Sequence, residues 1–382
     1  MKIGVFHQNL IENPGGAASV AAWICEALKK DYDVTLITYG SYIDFKKLND
    51  FYGTSLTIKE IKINFLPLPR YLRKISPALL KSVRLAYAIR ALKKIQKEFD
   101  ILITTINEVD LPLPSIQYIH CPVRSRETIK RLYSFPENYF RNMNNLIFKI
   151  ISGFRETRFK NTTHTLVVNS EWTANLVKEI YGIDSIIIYP PVIVRQQKET
   201  SWHDRENGLV MISRLLPEKR IEDAIYVVNE LKKFFPDMHL HIIGTGSTKY
   251  AYKIKNMVKN LSHIFLHENV NRNELIQIVK KHKYGIHPAK NEHLGIAPAE
   301  MLLGGCIVFV HNSGGQVEIV SRIKELIFNN VNDAVKKIKD IHVNQNLQSN
   351  ILALLNKNKK NFSPDNFLRD VKKIISKNLL KQ

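Results

Sequence analysis

With 382 residues, of which 45% are hydrophobic and 24% charged, the chain has material for two domains of ordinary size, each with a core of its own. No stretch approaches the roughly 18 consecutive apolar residues of a membrane span, and Met1-Lys-Ile-Gly-Val-Phe-His enters a strand at once, without the charged and apolar regions of a signal peptide. A net charge of +21 calls for a polyanionic partner, while three cysteines, Cys25, Cys121 and Cys306, argue against disulfides and a zinc site and for a reducing, cytosolic compartment.

Lys2 to Gln8 reads as a first strand, followed by a loop ending in Pro14-Gly15-Gly16 and an amphipathic helix from Ala17 to Lys30. Strand, glycine loop and helix open a Rossmann-like unit, and Gly15 and Gly16 leave room for an anion or a sugar at the helix N-terminus. Asp33 to Thr38 is the next strand. Asp31-Tyr-Asp33 at its entry has the spacing of metal-dependent transferases, but no carboxylate cluster accompanies it and we read it as surface. Lys62 to Leu66 is expected to be strand and Pro77 to Gln96 a helix, with Leu80, Val83, Tyr87 and Ala91 on its apolar face.

From Lys62 to Lys97 there are ten Lys or Arg residues and no Asp or Glu. Leu66, Leu68, Tyr71 and Leu72 lie among these cations and are expected to be exposed. Apolar insertion beside positive charge is how a monotopic protein holds an anionic membrane, so Arg70, Arg73, Lys74, Lys81 and Arg84 are candidate membrane contacts. Further strands are expected at Asp100 to Thr104, at Ser115 to His120 and at Thr165 to Asn169. His120 stands at a carboxyl end, where it can donate to a phosphate or a sugar hydroxyl. Asn142 to Phe159 reads as helix, and Ser170 as the N-cap of a helix over Glu171 to Tyr181.

Hydrophobicity collapses over Val194 to Glu206, which marks a linker between residues 1–193 and a second domain, 207–360, with 361–382 a C-terminal helix returning to the first. The second domain repeats the alternation: strands at Gly208 to Ser213, His239 to Ile243, Ile264 to His267, Gly285 to His287 and Ile307 to His311, with helices between. Alternating strands and helices give an α/β fold with parallel sheets and right-handed crossovers, here two Rossmann-like domains facing each other across a cleft.

Functional residues collect at strand ends of the second domain. Arg214 and Lys219 follow its first strand, where two cations can neutralise a diphosphate. Glu292 and Glu300 flank a turn and a helix start after the Tyr284-Gly-Ile-His-Pro288 strand. The N–H groups of Gly295, Ile296 and Ala297 suit a phosphate there, and Glu300 can accept from sugar hydroxyls.

Residues Asn291 to Val320, NEHLGIAPAEMLLGGCIVFVHNSGGQVEIV, together with SRLLPEK and the first glycine loop, resemble family 4 retaining glycosyltransferases of the GT-B fold over essentially the whole chain. YIHCP, VNSEWT, YPP and NEHLGI are similar to a subgroup within it, the α-1,2-mannosyltransferases of the dolichol-linked glycosylation pathway. The resemblance implies a GDP-mannose donor and a lipid-linked saccharide acceptor on the cytosolic membrane face; no metal is expected, because no carboxylate cluster appears and Arg214, Lys219 and a helix N-terminus can do an ion's work. The resemblance also implies that Glu300 holds the ribose, Glu292 the donor sugar, Arg214 and Lys219 the diphosphate, with Leu294, Gly295 and Ile296 at the donor and Gly15, Gly16 and His120 on the first-domain side. The chain departs from the general pattern at Leu294, in place of Phe, at His293 and at Ser213. A UDP-sugar transferase or a sugar-nucleotide epimerase is the alternative within the fold. Nucleic-acid binding is disfavoured, because no zinc finger, basic helix-turn-helix or RNA-binding aromatic pattern is present.

Overall fold

The computed structural model describes all residues except 11–14, 40–41, 70–71, 73–76, 134–136, 162, 195–200 and 380–382. The chain forms two units, Met1–Pro191 with Pro364–Gln382, and Val192–Ser363. The first holds a sheet of seven strands, β1 (Lys2–Phe6), β2 (Asp33–Thr38), β3 (Lys62–Phe65), β4 (Ile101–Thr104), β5 (Ile116–Ile119), β6 (Thr165–Val168) and β7 (Ile186–Ile187), in the order β3-β2-β1-β4-β5-β6-β7. The second holds six, β8 (Glu206–Ile212), β9 (His239–Ile243), β10 (Ile264–His267), β11 (His282–His287), β12 (Ile307–His311) and β13 (Ile327–Phe328), in the order β10-β9-β8-β11-β12-β13. Neighbours pair in parallel in both sheets, as in β1 with β2 and β8 with β11. Helices cover sheets of this kind on both faces, so the strands read as continuous apolar runs, and β4 and β5 are buried at every residue.

In the first unit Phe6, Ile37, Leu102, Ile119 and Val168 meet the helix Pro77–Ile95 in one core. That helix turns Leu85, Ala88, Ile89 and Leu92 inward, while Leu80, Val83, Tyr87 and Ala91, expected to form its apolar face, are only half-buried. Leu66, Leu68 and Leu72, expected to be exposed, are buried, with Leu66 and Leu68 in the same core. The basic stretch therefore spends its leucines on folding. Tyr71, Arg70, Arg73 and Lys74 lie outside the described residues.

The exposed apolar surface is elsewhere. The expected single helix from Asn142 is two, Glu137–Ser152 and Glu156–Lys160, separated where Gly153 takes φ +67°. The longer one packs Phe148 inward beneath the Arg124 guanidinium, 3.4 Å from the ring centre. Its opposite side leaves Tyr139, Phe140, Met143, Leu146, Ile147 and Ile150 exposed.

Ser170 caps the helix Glu171–Tyr181 as expected, accepting from the Thr173 N–H at 3.0 Å. The last helix, Pro364–Leu379, packs against Gly16–Leu28 in the first unit. Its Val371, Ile374 and Ile375 close over Ile24, Ile103, Ile116 and Tyr118. Part of the expected linker belongs to the second unit, because Trp202 lies edge-on to Tyr284 and donates to Gln348 Oε1 at 3.3 Å.

Candidate active site

The second sheet brings its functional groups together where β8 and β11 end. Between β11 and the helix Ile296–Leu303 the chain makes a turn in which Asn291 has φ +53° and Gly295, the N-cap, φ +97°. Glu292 stands on this turn. Lys219, in the short helical turn Pro217–Lys219 after β8, donates to Glu292 Oε2 at 2.5 Å, and His287 Nε2, from the last residue of β11, lies 3.4 Å from the same oxygen. Burial would raise the Glu292 pKa, but the hydrogen bond with His287 and the charge of Lys219 outweigh it and hold the carboxyl well below the usual range. Glu292 is thus a fixed anion. His287 is itself buried, which lowers its pKa against the pull of Glu292, and its Nδ1 has no hydrogen-bond partner among the described residues.

The turn is held from behind by residues 313–315. The Gly315 N–H donates to the Glu292 carbonyl at 2.8 Å and the Asn291 N–H to Ser313 Oγ at 2.8 Å. A Cβ on Gly314 would stand 2.1 Å from the Glu292 carbonyl oxygen, and the residue has φ +73°. Only glycine lets this loop lie so close. The Ser-Gly-Gly of the sequence is therefore a clamp on the Glu292 backbone.

Glu300, one turn into the helix Ile296–Leu303, is nearly buried and accepts from Arg272 Nη1 at 2.5 Å, while Arg272 Nη2 donates to the Ile193 carbonyl at 2.7 Å. Burial pushes the Glu300 carboxyl up and Arg272 draws it down, with a net upward shift. Arg272 and His287 were not identified from sequence: each reaches its carboxylate through tertiary placement, and neither sits in a recognisable spacing. Arg214 is exposed and makes no ion pair among the described residues. Leu294 is a core side chain, so only its backbone is placed to meet a ligand, whereas Gly295 and Ile296 do stand at the helix start.

In the first unit, His120 follows β5 and lines a cavity of about 340 Å³ with His7, Ala17, Asn107, Arg124 and Arg141. Gly15 caps the helix Gly16–Leu28, and Ala17 in its first turn borders the same cavity. The cavity rests on a buried polar group: Glu108 accepts from the Arg124 N–H at 2.9 Å and from Tyr181 Oη at 2.7 Å. Lys81 and Arg84 lie on the helix Pro77–Ile95, the first exposed and the second half-buried.

Residues 193–357 match the family model described as glycosyl transferases group 1. Among curated proteins, a GDP-Man:Man(3)GlcNAc(2)-PP-Dol alpha-1,2-mannosyltransferase of Dictyostelium discoideum is 26% identical over 243 residues, covering 55% of this chain and 48% of that protein. The Homo sapiens protein of the same name is 25% identical over 226 residues, 52% of this chain and 46% of that one. The matched stretch thus spans about half the length of these curated relatives. Among solved structures, sucrose-phosphate synthase from Thermosynechococcus elongatus superposes with a TM-score of 0.72 at 13% identity over the whole of both chains. Anabaena HepE, in complex with UDP-glucose, superposes with a TM-score of 0.69 at 14% identity over 99% of this chain and 100% of that one. At such identities the likeness establishes the fold. Residues 193–357 are therefore a glycosyl transferases group 1 domain, carried on a chain with the GT-B fold.

Proposed function

We propose that this chain is a retaining hexosyltransferase that moves mannose from GDP-mannose to a lipid-linked saccharide on the cytosolic face of an anionic membrane. The observation that carries the reading is the Glu292 anion, held by Lys219 and His287 at the strand end where the helix Ile296–Leu303 begins. A carboxylate fixed in this way accepts hydrogen bonds from sugar hydroxyls without first shedding a proton. The names of the curated relatives support mannose, GDP and a lipid-linked acceptor in particular.

The donor's diphosphate takes the Gly295 and Ile296 N–H groups, Lys219 and Arg214. Lys219 is already spent in part on Glu292, so Arg214, without an ion pair among the described residues, is the cation in reserve. Negative charge develops on the diphosphate as the glycosyl bond breaks, and preplaced cations stabilise that charge more than they stabilise the bound donor. Glu300 receives the ribose hydroxyls in exchange for part of its bond to Arg272. The first-unit cavity, with His120, Asn107 and His7 on its walls, receives acceptor hydroxyls. These residues perform the transfer without a metal ion.

Membrane attachment is assigned to the exposed apolar side of Glu137–Ser152, with Lys81, Arg84 and other cations of residues 62–97 supplying attraction. Among the described residues no helix is long and apolar enough to cross a membrane. All three cysteines are buried free thiols, which supports a compartment that keeps thiols reduced.

The test is a panel of nucleotide sugars scored by thermal shift and then by transfer. GDP-mannose at a hundred times its Kd stabilises the native state by about 2.7 kcal/mol. A larger shift with UDP-glucose than with GDP-mannose overturns the donor, and the absence of any shift across the panel overturns the enzyme.

A further inference from the structure

We infer that the strand-start end of the second sheet is a divalent-metal site suited to zinc, made by His239, His241 and His282 with the Glu206 carboxylate. Glu206 opens β8, His239 opens β9 and His282 opens β11, and β8 runs between the other two. Parallel strands bring their first residues to one end. Gly208 of β8 pairs in register with His239, and a Cβ there would meet His239 Nε2 at 2.4 Å. The missing side chain is the gap through which the His239 ring crosses β8 to reach His282.

Backbone carbonyls fix the tautomers of both rings. His239 Nδ1 is 2.9 Å from the Asp237 carbonyl oxygen, and His282 Nδ1 is 2.6 Å from that of Ile278. A carbonyl only accepts, so each Nδ1 carries the hydrogen, and in a neutral ring Nε2 is then a bare lone pair. These two lone pairs face each other at 3.0 Å. Without a cation between them they repel. Glu206 Oε2 completes a triangle, 3.3 Å from His239 Nε2 and 3.4 Å from His282 Nε2. A tetrahedron around zinc, with bonds of about 2.0 Å, has edges of about 3.3 Å.

Three corners of such a tetrahedron are thus already occupied. His241 supplies the fourth, since one ring nitrogen from each of the three histidines lies within 4.8 Å of the others. Its Nδ1 is 2.9 Å from His267 Nε2, on a ring stacked over its own, which leaves Nε2 for the metal. Carbonyls behind the ligating rings are the outer partners that metal-bound imidazoles use. Three imidazoles and one carboxylate suit zinc over calcium or magnesium, which take oxygen ligands. The site lies at the start of β11 and His287 at its end, about 16 Å apart along a strand of this length. Its effect falls on the sheet, not on sugar transfer.

The experiment is a titration of the chelator-stripped, full-length protein with zinc sulfate by calorimetry, followed by X-ray absorption at the zinc edge. One equivalent bound through nitrogen and oxygen at about 2.0 Å, with a rise in thermal midpoint, is expected. His282→Gln and Gly208→Ala each weaken binding by roughly a hundredfold. Glu206→Ala, at a half-exposed position that keeps the fold, weakens it about tenfold, and His263→Gln, whose ring bonds to Asn229 outside the cluster, leaves it unchanged. If the stripped wild type takes up no more zinc than a folded His239→Gln, His282→Gln double variant, the pair shares a proton and the metal site is overturned. It is overturned equally if Glu206→Ala and Gly208→Ala both bind as the wild type does.

Discussion

In the proposed site Lys219 serves both Glu292 and the donor's diphosphate, and Glu300 both Arg272 and the ribose, which decides what single substitutions do. Glu300→Ala and Arg214→Ala should each lose roughly a hundredfold in transfer rate, on the order of 3 kcal/mol of transition-state stabilisation, with circular dichroism close to wild type in both and melting lowered only in Glu300→Ala, which leaves Arg272 unpaired. Near-normal turnover in either would end the site assignment. Gly314→Ala is expected to act on both counts, because its methyl must push the Glu292 backbone away: turnover and melting temperature should fall together. The two glutamates are legible in the sequence because they lie on one uninterrupted strand, turn and helix, whose local signals are strong. Their partners are not. Lys219 reads from its spacing as a phosphate ligand alone, and Arg272 meets Glu300 only through the packing of its own helix on β8 and β11. A glycine pair in a motif does not disclose that it clamps another loop.

Strands and their order of appearance are the most readable elements. Asp33–Thr38, His239–Ile243, Ile264–His267 and Ile307–His311 coincide with expectation to the residue, because buried parallel strands leave short apolar runs bounded by turns. Helix facing is less readable. Periodicity finds an apolar side but does not say whether it turns to a core or to an outside partner, and the helices Pro77–Ile95 and Glu137–Ser152 both show this. Leucines expected to be exposed beside the basic stretch are core, and apolar residues on Glu137–Ser152 are exposed. The membrane prediction moves accordingly. Leu146→Asp with Ile150→Asp should abolish co-sedimentation with anionic vesicles at physiological salt without lowering the melting temperature, whereas Leu66→Asp should unfold the first unit. Vesicle binding that survives the paired change returns attachment to the cations alone, and should then vanish in high salt.

At the scale of the whole chain, acid should act through buried histidines, which both units carry. Burial lowers the His7 pKa to about 4, against a hydrogen bond with Thr105, and lowers that of His164 to about 4, against the charge of Asp110. Between pH 6.5 and 4 the unfolded chain binds protons that these buried rings refuse, so stability falls as pH drops through that window, by up to about 3 kcal/mol for each ring. Both belong to the first unit. Melting followed from pH 7 to pH 4.5 should show that unit's transition moving down, and His7→Gln should flatten its pH dependence; a first-unit transition that does not move would refute the neutral-ring assignment. Brief treatment with chelator should leave transfer intact, because no step of the proposed chemistry uses a metal. Loss of activity restored by manganese would refute that.

The first unit is completed by the helix Pro364–Leu379, whose Val371, Ile374 and Ile375 seal side chains from β4, β5 and β6. The second unit is one uninterrupted stretch. On the ribosome, then, the second unit has all its strands while the first still waits for residues 364–379. The order of completion during synthesis is the reverse of the order in the chain. Until residues 364–379 emerge, the nascent first unit carries an apolar gap facing Ile24 and Tyr118 that chaperones and proteases can read. Such a delay makes the helix Pro364–Leu379 a checkpoint, and a chain stopped at residue 363 should hold a sound second unit and nonetheless be degraded.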